Sequence, residues 1–338
     1  MTRRKRVSLA LVGALLVAGG VHGYLARNYV VIAPGPAEDL ARMVSVERGT
    51  KDAKGAFLLT AVTSHPAGIL APVAAGMSPV VDLVPRSQEV PRGMDMKKYL
   101  KIMESMMRES EVIAAAVALR KLGYSVHVKT VVRVEEVLRE SPARGLLQEG
   151  DVILAVDGKA VSTADEAVKS IGARRPGTPV GLTIRRDGLI EDFTVRTVPH
   201  PEDRARAAVG ILVSPSVTHE LPLEISINPR EIKGSSAGLM FTLEILDQLD
   251  PRDLTGGQVI AGTGTIGLDG IVGPIGSVKQ KVAAAEHAGA RYFLVPLENE
   301  RAARGAARDI KVMAVGDIDD ALEALDEIAR RRNATSGE

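Results

Sequence analysis

From residue 223 to residue 331 short β-rich runs and helical patterns take turns, and this alternation constrains the fold more than any other feature of the chain. Strands are expected at 223–227, 258–262, 291–295 and 310–315. Helices are expected at 235–249, 277–288, 298–307 and 318–331, with a tight turn at 268–272. Apolar runs of strand length set between longer helical patterns pack as mixed α/β layers around one core.

Two blocks of small residues stand where helices of that series begin. Gly234-Ser235-Ser236-Ala237-Gly238, preceded by Lys233, leads into the apolar pattern 239–246. Gly273-Pro274-Ile275-Gly276-Ser277-Val278-Lys279-Gln280-Lys281 leads into Val282-Ala283-Ala284-Ala285. A serine at a helix N-terminus lies beside backbone N–H groups without partners inside the helix, which suits an oxyanion. A lysine on an alanine-lined helix face is easily desolvated, and its pKa then falls from ~10.4 toward the ~7–8 of a usable base. Taken singly, Ser236 reads as an N-cap and Lys281 as a solvated helix lysine. Taken together, they suit a serine–lysine dyad and point to a hydrolase. Lys279 stands two positions earlier, a spacing that turns it to a different helix face.

A Ser–His–Asp triad is the rival arrangement, and residue order alone leaves it open. Of the six histidines, His22 falls in an N-terminal apolar run, His287 lies beyond Lys281 on another helix face, and His219 precedes the first strand of the series. Gly262-Thr263-Gly264-Thr265-Ile266-Gly267 fits G-x-G-x-x-G, but turn and hairpin residues follow where a dinucleotide site needs a helix. No histidines and carboxylates take a metal-ligand spacing such as H-E-x-x-H, so neither a metal nor another cofactor is expected.

The chain has 338 residues, enough for about two or three domains. A formal net charge of +1 gives no footprint for nucleic acid, and 3% aromatics without Trp offer few stacking platforms. The absence of cysteine excludes thiolate nucleophiles, disulfides and cysteine-bound metal. Arg3-Arg4-Lys5-Arg6 precedes an apolar run at 7–25, close to the ~20 residues that cross a bilayer. The basic flank predicts a cytoplasmic N-terminus and an exported remainder. An uncleaved anchor is the favoured reading. A cleaved signal peptide, with Val21-x-Gly23 as its site, stays open beside it.

Strands are expected at 29–36 and 55–63, and a helix from 96 to 122. Methionines at 94, 96, 103, 106 and 107 on that helix and its approach read as core, or as the lining of a plastic groove. Residues 126–137 are strand-like. A short helix, a turn, a strand and the Asp157-Gly158 hairpin turn follow between 141 and 159. A helix at 164–173 and strands paired around Asp187-Gly188 complete a β-rich module of about 75 residues. A proline-containing linker then leads to the alternating series.

Leu122-Gly123-Tyr124 followed by Ser125-Val126, Ser141-Pro142-Ala143 and the run Gly150 to Gly158 together resemble a PDZ domain. The resemblance implies that the amides of Leu122, Gly123 and Tyr124 hold a peptide's C-terminal carboxylate and that an extended peptide adds as a strand. A PDZ-shaped spacer without a live groove stays open. The Gly234–Gly238 block and the run Thr263 to Gly276 resemble the proteolytic domain of Lon proteases. The resemblance implies Ser236 as nucleophile, Lys281 as its lysine rather than Lys279, and Thr263 as the lysine's hydrogen-bonding partner. Gly234, Ser235, Ala237 and Gly238 then shape the nucleophile loop. Lys233 and Ser235 depart from the Asp and Pro usual at those places. No G-x-x-x-x-G-K-[ST] stretch occurs, so no ATP is expected.

The whole layout resembles the bacterial membrane-anchored PDZ–Lon (YlbL-like) proteins. It implies an α+β chain: a basic tip at 1–6, a signal-anchor helix at 7–25, and strands and a helix at 26–121 packing on the catalytic body. A PDZ-like β-rich domain at 122–200, a Lon-type mixed α/β proteolytic domain at 201–332 and a tail at 333–338 follow. The expected activity is a membrane-anchored, extracytoplasmic serine endopeptidase acting on protein or peptide substrates. A catalytically silent PDZ adaptor is the alternative, and a homo-oligomer stays open.

Overall fold

The computed structural model describes residues 3–51, 54–90, 96–200 and 203–335, and within these the side chains of all but 3–12, 14, 97, 127–130, 215–220 and 332–335. It opens with helix α1 (Arg3–Asn28), then strands β1 (Tyr29–Asp39), β2 (Val44–Val46) and β3 (Ala56–Pro66). Helix α2 (Ala71–Met77), β4 (Asp82–Pro85), the short α3 (Arg86–Glu89) and the long α4 (Met96–Lys121) follow. The middle of the chain holds β5 (His127–Val137), β6 (Val152–Val156), β7 (Lys159–Ala160), α5 (Ala164–Gly172), β8 (Pro179–Arg186) and β9 (Leu189–Arg196). It continues through β10 (Val198–Pro199), β11 (Ala207–Ala208) and β12 (Ile211–Glu220). The last part comprises β13 (Ile225–Ile227), α6 (Gly238–Leu249), β14 (Val259–Gly262), β15 (Thr265–Ile266), β16 (Val272–Gly273) and α7 (Val278–His287). It ends with β17 (Tyr292–Pro296), α8 (Glu300–Ala306), β18 (Lys311–Val315) and α9 (Ile318–Thr335).

These elements form two compact units, one of residues 1–124 with 223–338 and one of residues 125–222. The first is built on a six-stranded sheet in the order β18-β17-β14-β3-β1-β4. β18, β17, β14 and β3 run parallel, while β1 pairs antiparallel with both β3 and β4. The strands and helix expected to pack on the catalytic body thus go further, and β1, β3 and β4 are strands of its sheet. The reason is register: Ala56–Leu59 of β3 align with Val259–Gly262 of β14, and the three apolar residues Phe57, Leu58 and Leu59 lose their water there. Leu58, Ala261, Phe293 and Val295 of the sheet share one apolar cluster with Val278, Val282 and Ala285 of α7 and Ala303 of α8. Helix α6 is buried from Gly238 to Gln248, and its buried polar side chains find partners: Thr242 Oγ1 donates to the Gly238 carbonyl, Gln248 Nε2 to Glu244 Oε1 and the Val44 carbonyl, and Asp247 Oδ1 accepts from the Leu254 N–H.

The second unit is a sheet in the order β12-β5-β6-β8-β9, with β7 on β6 and α5 packed against it. Thr163 caps α5, accepting from the Glu166 N–H, while Glu166 accepts from the Thr163 N–H. The boundary expected at 200 is corrected here. β12 pairs with β5 along its whole length, from Ile211 opposite Val137 to Glu220 opposite His127, so this unit runs to Pro222. The short helix expected after residue 141 is a series of turns instead. Ser141 Oγ accepts from the Ala143 N–H, and Gly145 takes a φ of 81°, which a continuing helix does not allow.

Helix α1 covers the N-terminal apolar run, whose first part (7–12 and 14) lies outside the described side chains. Among the described residues no helix is long and apolar enough to cross a membrane. Leu15, Leu16 and Val17 of α1 are exposed.

Candidate active site

Three elements of the first unit converge at the end of β14. Thr263 follows that strand, and its N–H donates to the Leu294 carbonyl of β17. Its neighbour Gly264 donates to the Ser236 carbonyl at 2.9 Å, and Leu239 returns a bond to the Gly264 carbonyl. The turn before α6 is thereby fastened alongside residues 263–264. Helix α7 brings Lys281 in from the side. Its Nζ lies 2.7 Å from Ser236 Oγ and 2.8 Å from Thr263 Oγ1. Thr263 Oγ1 in turn donates to the Ser236 carbonyl at 3.0 Å. Because the threonine proton is committed there, its oxygen presents a lone pair to the lysine.

Lys281 is 4% exposed, and Thr263 is fully buried. Burial alone draws the Lys281 amine down to a pKa of about 7, since the charged form loses its hydration. In the neutral form the amine keeps N–H donors for Thr263 and turns its lone pair to the Ser236 hydroxyl. Lys279, two residues earlier, is bound 2.5 Å from Asp82 of β4 and is remote from this contact. Among the described residues no histidine bonds Ser236. His65 of β3 lines the same cleft, but the hydrogen bond of the serine Oγ goes to the lysine.

The loop carrying Ser236 is held from behind by α4. Gly234, at φ 95°, donates its N–H to the Met103 carbonyl, and Lys233 pairs with Glu104. Ser110 Oγ donates to the Ser235 carbonyl at 3.1 Å. A trans peptide points its C=O and N–H in opposite directions. Anchoring the Ser235 carbonyl on Ser110 therefore aims the Ser236 N–H the other way. Among the described residues no hydrogen bond engages the N–H of Ser236 or of Ala237. Helix α6 starts at Gly238, later than the sequence predicts, which leaves these amides in the turn. A Cβ at Gly238 would meet Ile266 at 2.7 Å and Ser110 Oγ at 2.8 Å, so the turn needs a glycine there.

Ser236 and Lys281 open into a cleft of about 540 Å³. Residues 60–66 of β3 form one wall, and Tyr99, Leu100 and Met103 of α4 another. β14 pairs β3 only as far as Leu59, so among the described residues no strand lies on the β14 side of Thr60–Pro66. The methionines divide: Met96 and Met103 line the cleft, Met107 is buried, and Met94 lies outside the described residues. The strand expected at 55–63 and the helix carrying Tyr99 both form, but the sequence pattern did not place them at the cleft, and it gave Ser110 no role. Ser110 stands 125 positions from its partner within an ordinary helical pattern, so no local signal marks it.

Leu122, Gly123 and Tyr124 do not form a carboxylate loop, which corrects the expectation for them. They close the C-terminus of α4 in the first unit. The Gly123 N–H donates to the Arg120 carbonyl and the Tyr124 N–H to the Leu119 carbonyl, with Gly123 at φ 85°. This is a Schellman cap, and it consumes the amides that a peptide would need. The second unit has its groove elsewhere. About 500 Å³ opens between α5 (Ala167, Val168, Ile171) and the start of β12 (Ile211, Leu212, Val213). β12 is the edge of its sheet, and Gly210 before it takes a φ of 68°. The apolar run 207–213 around that glycine was the available signal.

Comparison with known proteins matches these two units. Residues 114–197 match the PDZ domain family model, and residues 228–327 match that of the Lon protease (S16) C-terminal proteolytic domain. A Lon protease of Phenylobacterium zucineum is 32% identical over 125 residues, covering 35% of this chain and 15% of that protein. Lon protease 2 of Bacillus subtilis is 37% identical over 99 residues, covering 29% of this chain and 17% of that protein. The chain thus spans a small part of these relatives' own length. A solved PDZ domain of an SdrC-like protein from Listeria innocua is 24% identical, covers 25% of this chain and 92% of its own, and has a TM-score of 0.23. The chain combines a PDZ domain with a Lon-type serine peptidase domain.

Proposed function

We propose that this chain is a membrane-anchored, extracytoplasmic serine endopeptidase that works without ATP, with Ser236 as nucleophile and Lys281 as general base. The observation that carries the proposal is the 2.7 Å contact between Lys281 Nζ and Ser236 Oγ, in surroundings that bring the amine to a pKa of about 7. As Ser236 Oγ attacks a peptide carbonyl, its proton passes to Lys281 Nζ, and the carbonyl oxygen becomes an oxyanion. The Ser236 N–H, turned away from α4, would receive that charge, with the neighbouring Ala237 N–H as a second candidate donor. The Lys281 ammonium then protonates the leaving amine, which departs and leaves an acyl-enzyme. A water molecule gives its proton to the neutral lysine and attacks the ester. The serine recovers its proton as the acid product leaves. Each step uses Ser236, Lys281, backbone amides and water, so none draws on ATP.

The open edge of β3 at residues 60–66 supports an extended substrate lying as an added strand across the cleft. The groove between α5 and β12 supports a second peptide contact, at the PDZ domain. The exposed apolar side chains of α1, behind Arg3 to Arg6, support an anchor with its N-terminus in the cytoplasm.

Labelling with a serine-reactive phosphonate probe tests the mechanism. Ser236 of the full chain is expected to be modified, and Ser236→Ala and Lys281→Ala are expected to lose both labelling and peptide cleavage. Lys279→Ala is expected to keep most of both, because its partner is Asp82. Peptide binding at the β12 groove with an unreactive Ser236 would instead make the chain a silent adaptor.

A further inference from the structure

Between Pro66 and Val81 the chain carries no charged residue, in a protein that is 25% charged. This stretch contains α2, and α2 presents its apolar side chains outward. Leu70 is 73% exposed, Val73 57% and Met77 82%, with Ile69 beside them. Positions 70, 73 and 77 share one helix face. The opposite side of the same segment is buried: Ala67 and Ala71 pack with Val31, Leu25 and Tyr29. The outward face is therefore not a misplaced core.

The position of α2 beside α1 says what covers it. His22 of α1 reaches to 4.0 Å from where a side chain on Gly68 would begin, and Leu25 joins the cluster beneath Ala71. The apolar part of α1 ends at this level. We propose that the face formed by Ile69, Leu70, Val73 and Met77 rests in the lipid boundary beside α1 and seats the catalytic unit on the bilayer. A short uncharged segment with a continuous apolar face, next to the end of a helix that anchors the chain, would lose less by entering the acyl boundary than by facing water. This rests on the anchor reading of α1.

The seat has a consequence for substrates. Ala26 and Val30 line the cleft that holds Ser236 and Lys281. Ala26 lies about 6 Å of helix rise beyond His22. The cleft therefore opens at the membrane surface, where it meets peptide segments close to the bilayer.

The chain has no cysteine, so single cysteines report cleanly. Leu70→Cys, Val73→Cys and Met77→Cys test the face, Leu16→Cys tests the anchor, and Arg304→Cys on α8 is the aqueous control. Each full-length variant carries an environment-sensitive fluorophore in phosphatidylcholine–phosphatidylglycerol vesicles, with or without lipids brominated on the acyl chains. Quenching at 16, 70, 73 and 77 but not at 304 is expected. Quenching at 16 alone overturns the seat and leaves the anchor standing. Quenching at 70, 73 and 77 without 16 supports the seat and removes the anchor. A blue shift at the face that persists in detergent, grows with protein concentration and ignores brominated lipid puts a second copy there and overturns the proposal.

Discussion

The amine of Lys281 has Thr263 Oγ1 and Ser236 Oγ as its polar neighbours, and burial alone lowers its pKa to about 7. A general base must be neutral, so kcat/KM is expected to rise through about pH 7 and level off above it. Thr263→Val removes one of the two hydrogen bonds that aim the amine and is expected to lower the plateau. Steady-state rates from pH 5 to 10 check both, and a profile still climbing toward pH 10 would make Lys281 an exposed lysine. The same shift affects stability. Between pH 7 and 10.5 the unfolded chain binds a proton at Lys281 that the folded chain does not. Wild-type stability therefore gains as pH rises across that window. Lys281→Met keeps the volume without the charge. Its Tm is expected to exceed that of wild type most at or below pH 7, and the difference to shrink as pH approaches 10.5. A difference independent of pH would mean that the lysine is protonated in the folded state throughout.

At the scale of elements, α4 controls the nucleophile turn through three contacts with residues 233–235. Ser110 is the buried one, at 4% exposure, and its hydroxyl sets the plane of the peptide that ends in the Ser236 N–H. Ser110→Ala is expected to cost ~1 kcal/mol of stability and about 2–4 °C in Tm. Its larger effect is on turnover: kcat is expected to fall roughly tenfold, since ~1.4 kcal/mol of lost oxyanion stabilisation gives that factor. KM should change little. Equal loss in kcat and in folded fraction, with normal turnover per folded molecule, would leave Ser110 a packing residue only. The two glycine turns tell a related story. Gly123 ends a helix and Gly210 precedes an edge strand, and a groove opens beside the second.

For the whole molecule, the anchor reading implies that everything after α1 lies outside the cytoplasm. A C-terminal tag is expected to be digested by protease added to intact spheroplasts, and the mature protein is expected to begin before Val7. A protected tag would reverse the orientation, and a mature N-terminus near Tyr24 would show a cleaved signal peptide. Helix α2 and the cleft belong to the same unit as α1, so orientation and access to substrate are linked through that unit.

Local patterns marked the candidate site: Ser236, Thr263 and Lys281 each sit in a short block whose small residues mark a turn or a helix start. The strong helical periods of α4, α6, α7 and α9 were legible for the same reason, since each is a property of adjacent residues. The tertiary structure alone decided which amides stay free. Gly123 and Gly210 both take a positive φ next to apolar residues, and their sequences look alike. The Leu119 and Arg120 carbonyls occupy the amides at one, while pairing of β12 with β5 across the unit exposes an edge at the other. It also placed β3, from the N-terminal segment, beside β14 at the heart of the catalytic sheet, and Ser110 beneath the nucleophile loop. Strand partners and buried hydrogen bonds join residues more than a hundred positions apart, and no local pattern encodes a choice among distant partners.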